Sequence, residues 1–179
     1  MGESAGSGGS RLCHPGVSGK AFPTCDWNRA GEFRITGATM KPRPELLKAY
    51  QETAYFADLP SGRVEIRIGE KTPDLDDLLV EHEAGSWVFV TACNPMSEKL
   101  ANKENKKRLE GLDKVLSDRE ITHFPGEGKG DSGVWPCEPS FLALGLNLEE
   151  SIALGREQGQ YAVVFGRFNK PAQLVWCNE

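Results

Sequence analysis

Amides, hydroxyls and one carboxylate stand where apolar stretches of this sequence begin or end. Such groups hold polar ligands through hydrogen bonds, and a carboxylate among them can also accept or donate a proton. In open α/β folds, ligands commonly bind where strands end. The sequence therefore predicts a polar ligand-binding site at strand ends. Its candidate residues are Thr91, Asn94, Asn105, Glu138, Ser140 and Gln160.

Two of these candidates, Asn94 and Asn105, lie on either side of a strand-to-helix junction. The stretch Trp87-Val-Phe-Val-Thr-Ala-Cys-Asn-Pro95 places Asn94 in a polar turn directly after an apolar strand. A helix is predicted from about Ser97 to Ser117, with Asn105 on its apolar side. Burying an unpaired carboxamide costs about 1–3 kcal/mol, so Asn105 is expected to bond to backbone, to the Asn94 turn or to a ligand. A structural role and a ligand contact both fit.

The carboxylate best placed for binding or acid-base work is Glu138. It stands just before a second apolar strand, predicted over residues 141–146. Because a charged carboxylate is not buried without a partner, Glu138 is either solvated in a structural role at the sheet edge or engaged with donors. We predict that Asn94, Asn105 and Glu138 converge.

The sequence contains no evident pair of a nucleophile and a base. His82 and His123 have no serine or cysteine signature nearby, and Cys93 fits an inert buried thiol as well as a reactive one. Whether the protein is an enzyme, and whether it uses a cofactor, therefore stays open. If it is an enzyme, hydrolysis or group transfer on a polar small molecule or nucleotide fits the candidate residues.

Two other functions are weighed against ligand binding. A noncatalytic protein-interaction module would use the aromatic side chains near Trp135 and the C-terminal hairpin. Nucleic-acid binding would use the basic outer face of the helix from Lys99 to Arg108. Glutamates alternate with these bases, Glu104 is spaced to pair with Arg108, and the formal net charge is -5. A solvated, salt-bridged helix face is therefore favoured over a nucleic-acid site.

Segment lengths and cysteine usage indicate a soluble cytoplasmic protein. No apolar run approaches the roughly 20 residues that a membrane span needs, and the N-terminus lacks the apolar core of a signal peptide. The 5 cysteines form no Cys-x-x-Cys pair, as is typical of a reduced compartment. Cys13, His14 and Cys25 lack a fourth ligand nearby, so no metal site is expected. The oligomeric state is not determined by these features.

The chain is predicted to consist of a tail and a single domain. Residues 1–39 are rich in glycine and serine and are predicted to be disordered, whereas residues 40–179 are predicted to form the domain. Met40 directly precedes the first well-patterned helix, so we hypothesise that translation begins there. Peptides from before Met40 in the mass spectrum of the native protein would contradict this hypothesis.

The domain is predicted to be α/β, with a mixed β-sheet and flanking helices. Apolar spacing predicts a helix from Pro44 to about Ala57. A strand from Val64 to Ile68, a helix after Thr72 and a strand from Ser86 to Ala92 predict one right-handed parallel β-α-β crossover. The last two strands, within residues 161–177, predict an antiparallel hairpin.

Residues 125–133 are expected to form a mobile loop because glycine and proline are dense there. This loop lacks the Gly-Lys-Ser/Thr ending and the spacing of a nucleotide P-loop.

The order of several short motifs resembles that of a small bacterial family catalogued as domain of unknown function 3293. The resemblance covers about residues 46–179 and implies no particular activity. It does imply that the natural chain begins near Met40. The motifs are Ala49-Tyr50, Ile68-Gly69, Val90-Thr-Ala-Cys-Asn-Pro95, Glu104-Asn105, Gly126-Glu-Gly, Trp135, Glu138-Pro-Ser140, Leu144-Gly145 and Gly159-Gln160-Tyr-Ala162.

Overall fold

A computed structural model of the chain describes residues 25–27, 33–35, 44–131 and 137–177. The chain forms two compact units, Met1–Ala38 and Thr39–Glu179. In the first unit, β1 (Cys25–Trp27) pairs antiparallel with β2 (Phe33–Ile35). The rest of the predicted tail and the proposed start at Met40 lie outside the described residues.

The second unit alternates helices with strands, and one 3-10 turn at Pro95–Ser97 precedes its third helix. The helices are α1 (Pro44–Gln51), α2 (Pro73–Glu81), α3 (Asn102–Asp118) and α4 (Leu148–Glu157). The strands are β3 (Thr53–Leu59), β4 (Gly62–Ile66), β5 (Ser86–Val90), β6 (His123–Gly130), β7 (Glu138–Leu144), β8 (Ala162–Arg167) and β9 (Gln173–Trp176).

These strands form one seven-stranded sheet in the order β4-β3-β6-β7-β5-β8-β9, and every neighbouring pair is antiparallel. The predicted mixed sheet with a parallel β-α-β crossover is therefore wrong. Four successive antiparallel pairings make β4 and β5 run in the same direction, as a crossover requires, but β3, β6 and β7 lie between them. Local patterns do not specify which strands become neighbours, because that depends on contacts between distant segments.

Several element boundaries also differ from the predictions, and in two segments the type of element differs as well. The helix that begins at Pro44 ends at Gln51, and Thr53–Leu59 is a strand rather than the last helical turns. Hydrogen bonding to both β4 and β6 overrides the weak helical spacing of this short segment. Residues 125–130, predicted as a mobile loop, form most of β6, because β3 and β7 pair with them on either side.

The sheet is curled into a half-barrel, and its two edges approach each other. The predicted C-terminal hairpin is present as β8 and β9. Ahead of β9, Ala172 forms an isolated parallel bridge with Ile68, which follows β4 at the opposite edge. The Gly69 amide donates to the Ala172 carbonyl at 2.8 Å, and the Ala172 amide donates to the Glu70 carbonyl at 2.9 Å. These bonds satisfy backbone groups that an open edge would leave unpaired.

Alternation along the strands divides the core into two apolar clusters. On the inner face of the curl, Trp87, Phe89 and Leu142 pack against Leu75 and Leu79 of α2. On the outer face, a second cluster is covered by α3 and α4. Its buried members are Val88, Val90, Ala92, Leu112, Leu116, Ala143, Leu154, Val163, Phe165 and Cys177.

The outer helix α4 begins at a capping box. Asn147 accepts from the Glu150 amide at 3.0 Å, and the Glu150 carboxylate accepts from the Asn147 amide at 2.8 Å. Gly159, with φ at 72°, follows the helix and turns the chain into Gln160, two residues before β8. Within residues 44–131 and 137–177, no helix combines the length and apolar character needed to cross a membrane.

Candidate functional site

A cavity of about 400 Å³ lies at one end of the inner face, beside α1. Here β3, β7 and β8 begin and β5 and β6 end, so residues from five strands meet around it. Its volume is in the range that holds small organic ligands. The cavity is lined by Glu45, Leu46, Lys48, Ala49, Tyr50, Glu52, Thr53, Tyr55, Phe89, Thr91, Asn94, Ser97, Gly128, Gly130, Glu138, Ser140, Gln160, Ala162, Val163 and Val164.

Glycines on the inner face of β6 help to create this space. Gly128 stands between Tyr55 of β3 and Glu138 of β7 in the sheet register, and it lines the cavity together with Gly130. Glycine within a strand weakens it by about 0.5–1 kcal/mol relative to alanine and often marks a place where a ligand or another backbone approaches. The alternating glycines of β6 therefore leave an open surface where other strands would present side chains.

Gly126, two residues before Gly128 on the same face of β6, has a different role. A Cβ atom at Gly126 would collide with the Phe56 carbonyl and would lie 2.8 Å from Cε2 of Phe89. The ring of Phe89 therefore occupies the space over Gly126, where it also meets Tyr55 edge-on at 5.4 Å. A Cβ at Gly128 would lie 3.7 Å from the Tyr55 ring, which is ordinary van der Waals contact.

The turn after β5 is held in an unusual backbone conformation. Asn94, Met96 and Ser97 have φ of 45°, 54° and 58°, in the left-handed region that residues other than glycine rarely adopt. Asparagine tolerates this region better than most residues. The Met96 amide donates to the Gly159 carbonyl at 2.7 Å, which joins the turn to the end of α4. Backbone strain of this kind persists only where surrounding contacts determine it, and it clusters at functional sites.

Asn94, Asn105 and Glu138 come together at this turn as the sequence predicts. The Asn94 amide donates to Oδ1 of Asn105 and Nδ2 of Asn105 donates to Oδ1 of Asn94, both at 2.9 Å. The Leu100 amide also donates to Oδ1 of Asn94, at 2.9 Å. Nδ2 of Asn94 donates to Oε1 of Glu138 at 2.5 Å. We call these three residues the amide–carboxylate cluster.

The remaining candidates, Thr91, Ser140 and Gln160, are bonded to the backbone beside the cluster. The Thr91 hydroxyl donates to the Pro139 carbonyl at 2.7 Å, and the Ser140 hydroxyl donates to the carbonyl of Glu138 at 3.0 Å. Nε2 of Gln160 donates to the Cys93 carbonyl at 2.9 Å. These bonds fix the side chains in place before any ligand binds.

Five of the six predicted residues line the cavity, and the sixth, Asn105, does not. Both polar atoms of the Asn105 carboxamide bond to Asn94, so its contacts are structural. Whether the others contact a ligand stays a prediction. The five lining residues are Thr91, Asn94, Glu138, Ser140 and Gln160.

Sequence reasoning missed the aromatic side of the cavity and its glycines. The apolar spacing places Tyr55 in a helix and marks Tyr50 and Phe89 only as apolar positions. The period of two between Gly126, Gly128 and Gly130 is the period of one face of a strand, and this signal could have identified the open surface.

Arg108 also differs from its predicted position on the outer face of α3. Its Nε donates to the Ala92 carbonyl at 2.6 Å, and its Nη2 donates to the Gln158 carbonyl at 2.8 Å. The guanidinium therefore joins α3 to the end of β5 and the end of α4, rather than pairing with Glu104. Arg108 therefore stabilises the backbone next to the site without lining the cavity.

Two phenols and one thiol at or near the cavity are shifted towards their neutral forms. Burial raises the pKa of the Tyr50 and Tyr55 phenols above the usual range, and the negative charge of Glu138 adds to the effect at both. Burial likewise raises the pKa of the Cys93 thiol, although a hydrogen bond with Thr91 opposes the shift. Both phenols and this thiol are thus neutral at physiological pH, and Cys93 is not an activated nucleophile.

Alkylation should distinguish the cysteines whose side chains the structure describes. Cys93 and Cys177 are buried and Cys137 is exposed. Burial raises the pKa of Cys177 to about 11, against the opposing charge of Arg156, so little reactive thiolate is present near pH 8. We expect iodoacetamide to modify Cys137 in the folded protein and the other two only after unfolding in urea, as mapped by peptide mass spectrometry. Equal labelling of Cys93 and Cys137 in the folded protein would contradict this burial.

Metal binding has no support within the described part of the chain, where no group of three or more His, Cys, Asp or Glu side chains is placed to hold an ion. The predicted absence of a metal site also concerned Cys13 and His14, which lie outside the described residues.

A model of the family described as "Protein of unknown function (DUF3293)" matches residues 90–163. The resemblance suggested by the order of motifs is therefore confirmed over a segment that runs from the end of β5 into β8. That segment contains every candidate site residue. No curated protein and no solved structure matches the chain. The family's description assigns no activity, so the geometry of the cavity is the basis for a functional proposal.

Proposed function

We propose that the protein binds a small polar organic molecule in the cavity beside α1. The observation that carries this proposal is the combination of an open space of about 400 Å³ with polar side chains already held at its border. Asn94 is 5% exposed and Gln160 is 7% exposed, yet both line the cavity. Sites for small molecules characteristically combine mostly apolar surroundings with a few fixed polar groups.

The strand glycines support a ligand rather than an accidental gap in packing. Filling the space with side chains from Gly128 and Gly130 would strengthen β6, since each glycine weakens a strand by about 0.5–1 kcal/mol relative to alanine. A Cβ at Gly128 meets no close contact, so packing does not require glycine there. A ligand site would benefit from glycine at these positions, because glycine keeps this part of the strand surface open.

Thermal-shift screening against nucleotides, amino acids and amines tests the proposal. We expect at least one compound to raise the Tm, since a ligand at a hundred times its Kd stabilises the folded state by about 2.7 kcal/mol. Gly128→Val should fill part of the cavity and remove the shift while the protein stays folded. Glu138→Ala and Asn105→Ala should weaken the shift, the first through a lost contact and the second through a displaced Asn94.

The matched control is Gly111→Ala on the exposed surface of α3, where a Cβ would meet nothing within 4 Å. It should stabilise the helix by about 1 kcal/mol and leave the ligand shift unchanged. The proposal fails if no compound raises the Tm of the wild type, or if the shift persists unchanged in Gly128→Val.

A further inference from the structure

The charges around the cavity are predominantly negative. Among the described residues, its lining includes the carboxylates of Glu45, Glu52 and Glu138 but a single ammonium group, that of Lys48. Nζ of Lys48 lies 3.5 Å from Oε1 of Glu52, and both side chains are exposed. Glu138 is less exposed than Glu45 and Glu52, and it has no cation paired with it in the part of the chain that the structure describes.

Two oxygen atoms near the amide–carboxylate cluster are open to a ligand. Asn94 donates to Oε1 of Glu138, and the other carboxylate oxygen has no hydrogen-bond partner among the described residues. Gln160 donates to the Cys93 carbonyl through Nε2, and its Oε1 likewise has no described partner.

These two oxygens are not sealed inside the protein, and both belong to residues that line the cavity. Every fully buried side-chain nitrogen or oxygen in the described part of the chain has a partner, so unpartnered oxygens must be accessible. The side chains of Glu138 and Gln160 are bonded to consecutive residues, Asn94 and Cys93, which brings the two acceptors to the same region. A group that donates several hydrogen bonds would satisfy both.

The cavity lining also has an apolar and aromatic part. It includes Tyr50, Tyr55 and Phe89, together with Ala162 and Val164. The rings of Tyr55 and Phe89 meet edge-on with centroids 5.4 Å apart, which leaves them in a fixed arrangement. Aromatic rings attract cations through their negative faces and also pack against apolar groups.

Resting on the proposed function, we propose that the ligand is an organic cation, a primary amine, guanidinium or amidinium on a compact apolar or aromatic body. The cationic group donates to Glu138 and Gln160, and the body packs against Tyr55 and Phe89. A phosphate or carboxylate in the same place would be repelled by the charge of Glu138, which pairs with no cation among the described residues. The inference therefore selects amines over nucleotides among the polar ligands that suit the cavity.

Three nearly isosteric probes test the sign of the charge: benzamidine, benzamide and benzoate. We expect NMR titration of the full chain to give the tightest binding for benzamidine, by about tenfold over benzamide, because hydrogen bonds to charged groups are the stronger ones. Benzoate should bind more weakly than benzamide. The shifted amide resonances should be those of cavity residues, including Gly128 and Gln160.

Glu138→Gln should reduce benzamidine affinity by about 10- to 100-fold, because it removes the charge while its oxygen can still accept from Asn94. Glu138→Asp keeps the charge and should retain most of the preference for the cation, which covers the case in which Glu138→Gln folds poorly. Glu110→Gln removes one negative charge from an exposed residue of α3 that does not line the cavity, and it serves as the matched control. It should change affinity less than about threefold, since exposed charges are screened by salt.

The outcomes separate this inference from the function on which it rests. If benzamide or benzoate binds in the cavity as tightly as benzamidine, the protein is a small-molecule binder but the cation inference is wrong. An unchanged benzamidine affinity in a folded Glu138→Gln would also overturn it. If neither these probes nor any compound of the wider screen binds, both proposals fail.

Discussion

Asn94→Ala is expected to lower the free energy of unfolding by about 3–4 kcal/mol, the largest effect of any substitution at the site. The side chain bonds to Asn105, to the Leu100 amide and to Glu138. Its removal leaves buried donors and acceptors unsatisfied. Alanine is also less tolerant than asparagine of φ at 45°. Urea denaturation monitored by circular dichroism measures the change.

Asn94→Gly is the matched variant, because it removes the same hydrogen bonds but accepts the left-handed backbone. It should be more stable than Asn94→Ala by about 1 kcal/mol, and the difference reports the backbone preference alone. Equal stabilities would show that the backbone conformation contributes nothing. If both variants unfold like the wild type, the hydrogen bonds of Asn94 do not stabilise the fold.

Gly126→Ala is expected to lower the free energy of unfolding by about 1–3 kcal/mol, although alanine normally favours a strand over glycine. The added methyl group would collide with the Phe56 carbonyl and crowd the ring of Phe89. Either β3 and β6 separate or the ring moves, and the edge-on contact with Tyr55 is disturbed in both cases. The loss should appear as a lower midpoint in urea.

Gly128→Ala, two residues along the same face of β6, is the control for strand propensity. Its Cβ would lie 3.7 Å from the Tyr55 ring, so it should be neutral or stabilising by about 0.5–1 kcal/mol. A loss of stability equal to that of Gly126→Ala would mean that the space around Gly128 is not open, which would also weaken the case for a ligand cavity.

The pairing of Asn94 with Asn105 could be predicted from the sequence because the two residues are close in the chain, eleven positions apart. A buried carboxamide on the apolar side of a helix also needs a hydrogen-bond partner. The strand before it and the helix after it both follow from their apolar spacing. The 3-10 turn and the later start of α3 at Asn102 altered the details without changing the contact.

Glu138 reaches the same turn because of the strand order, which the spacing of residues in the sequence does not specify. Its strand, β7, lies beside β5 although α3 and β6 separate the two in the chain. The charge before a buried strand predicted that Glu138 is either solvated at the sheet edge or engaged with donors. The convergence with Asn94 and Asn105 was predicted as well, but it depends on the strand order. The aromatic side of the cavity depends even more on assembly, since Tyr55 faces it only because β3 pairs with β6.

Local patterns thus determined that Asn94, Asn105 and Glu138 are polar groups that need hydrogen-bond partners. They also determined the positions of most helices and strands and the Asn147 cap of α4. They did so because capping, alternation and amphipathic spacing act over a few residues. The order β4-β3-β6-β7-β5-β8-β9 was decided only in the tertiary structure. That order turned the glycines of a supposed loop into the open inner face of a strand. Backbone pairing from both neighbours outweighs the low strand propensity of glycine, and such pairing is a property of the assembled sheet.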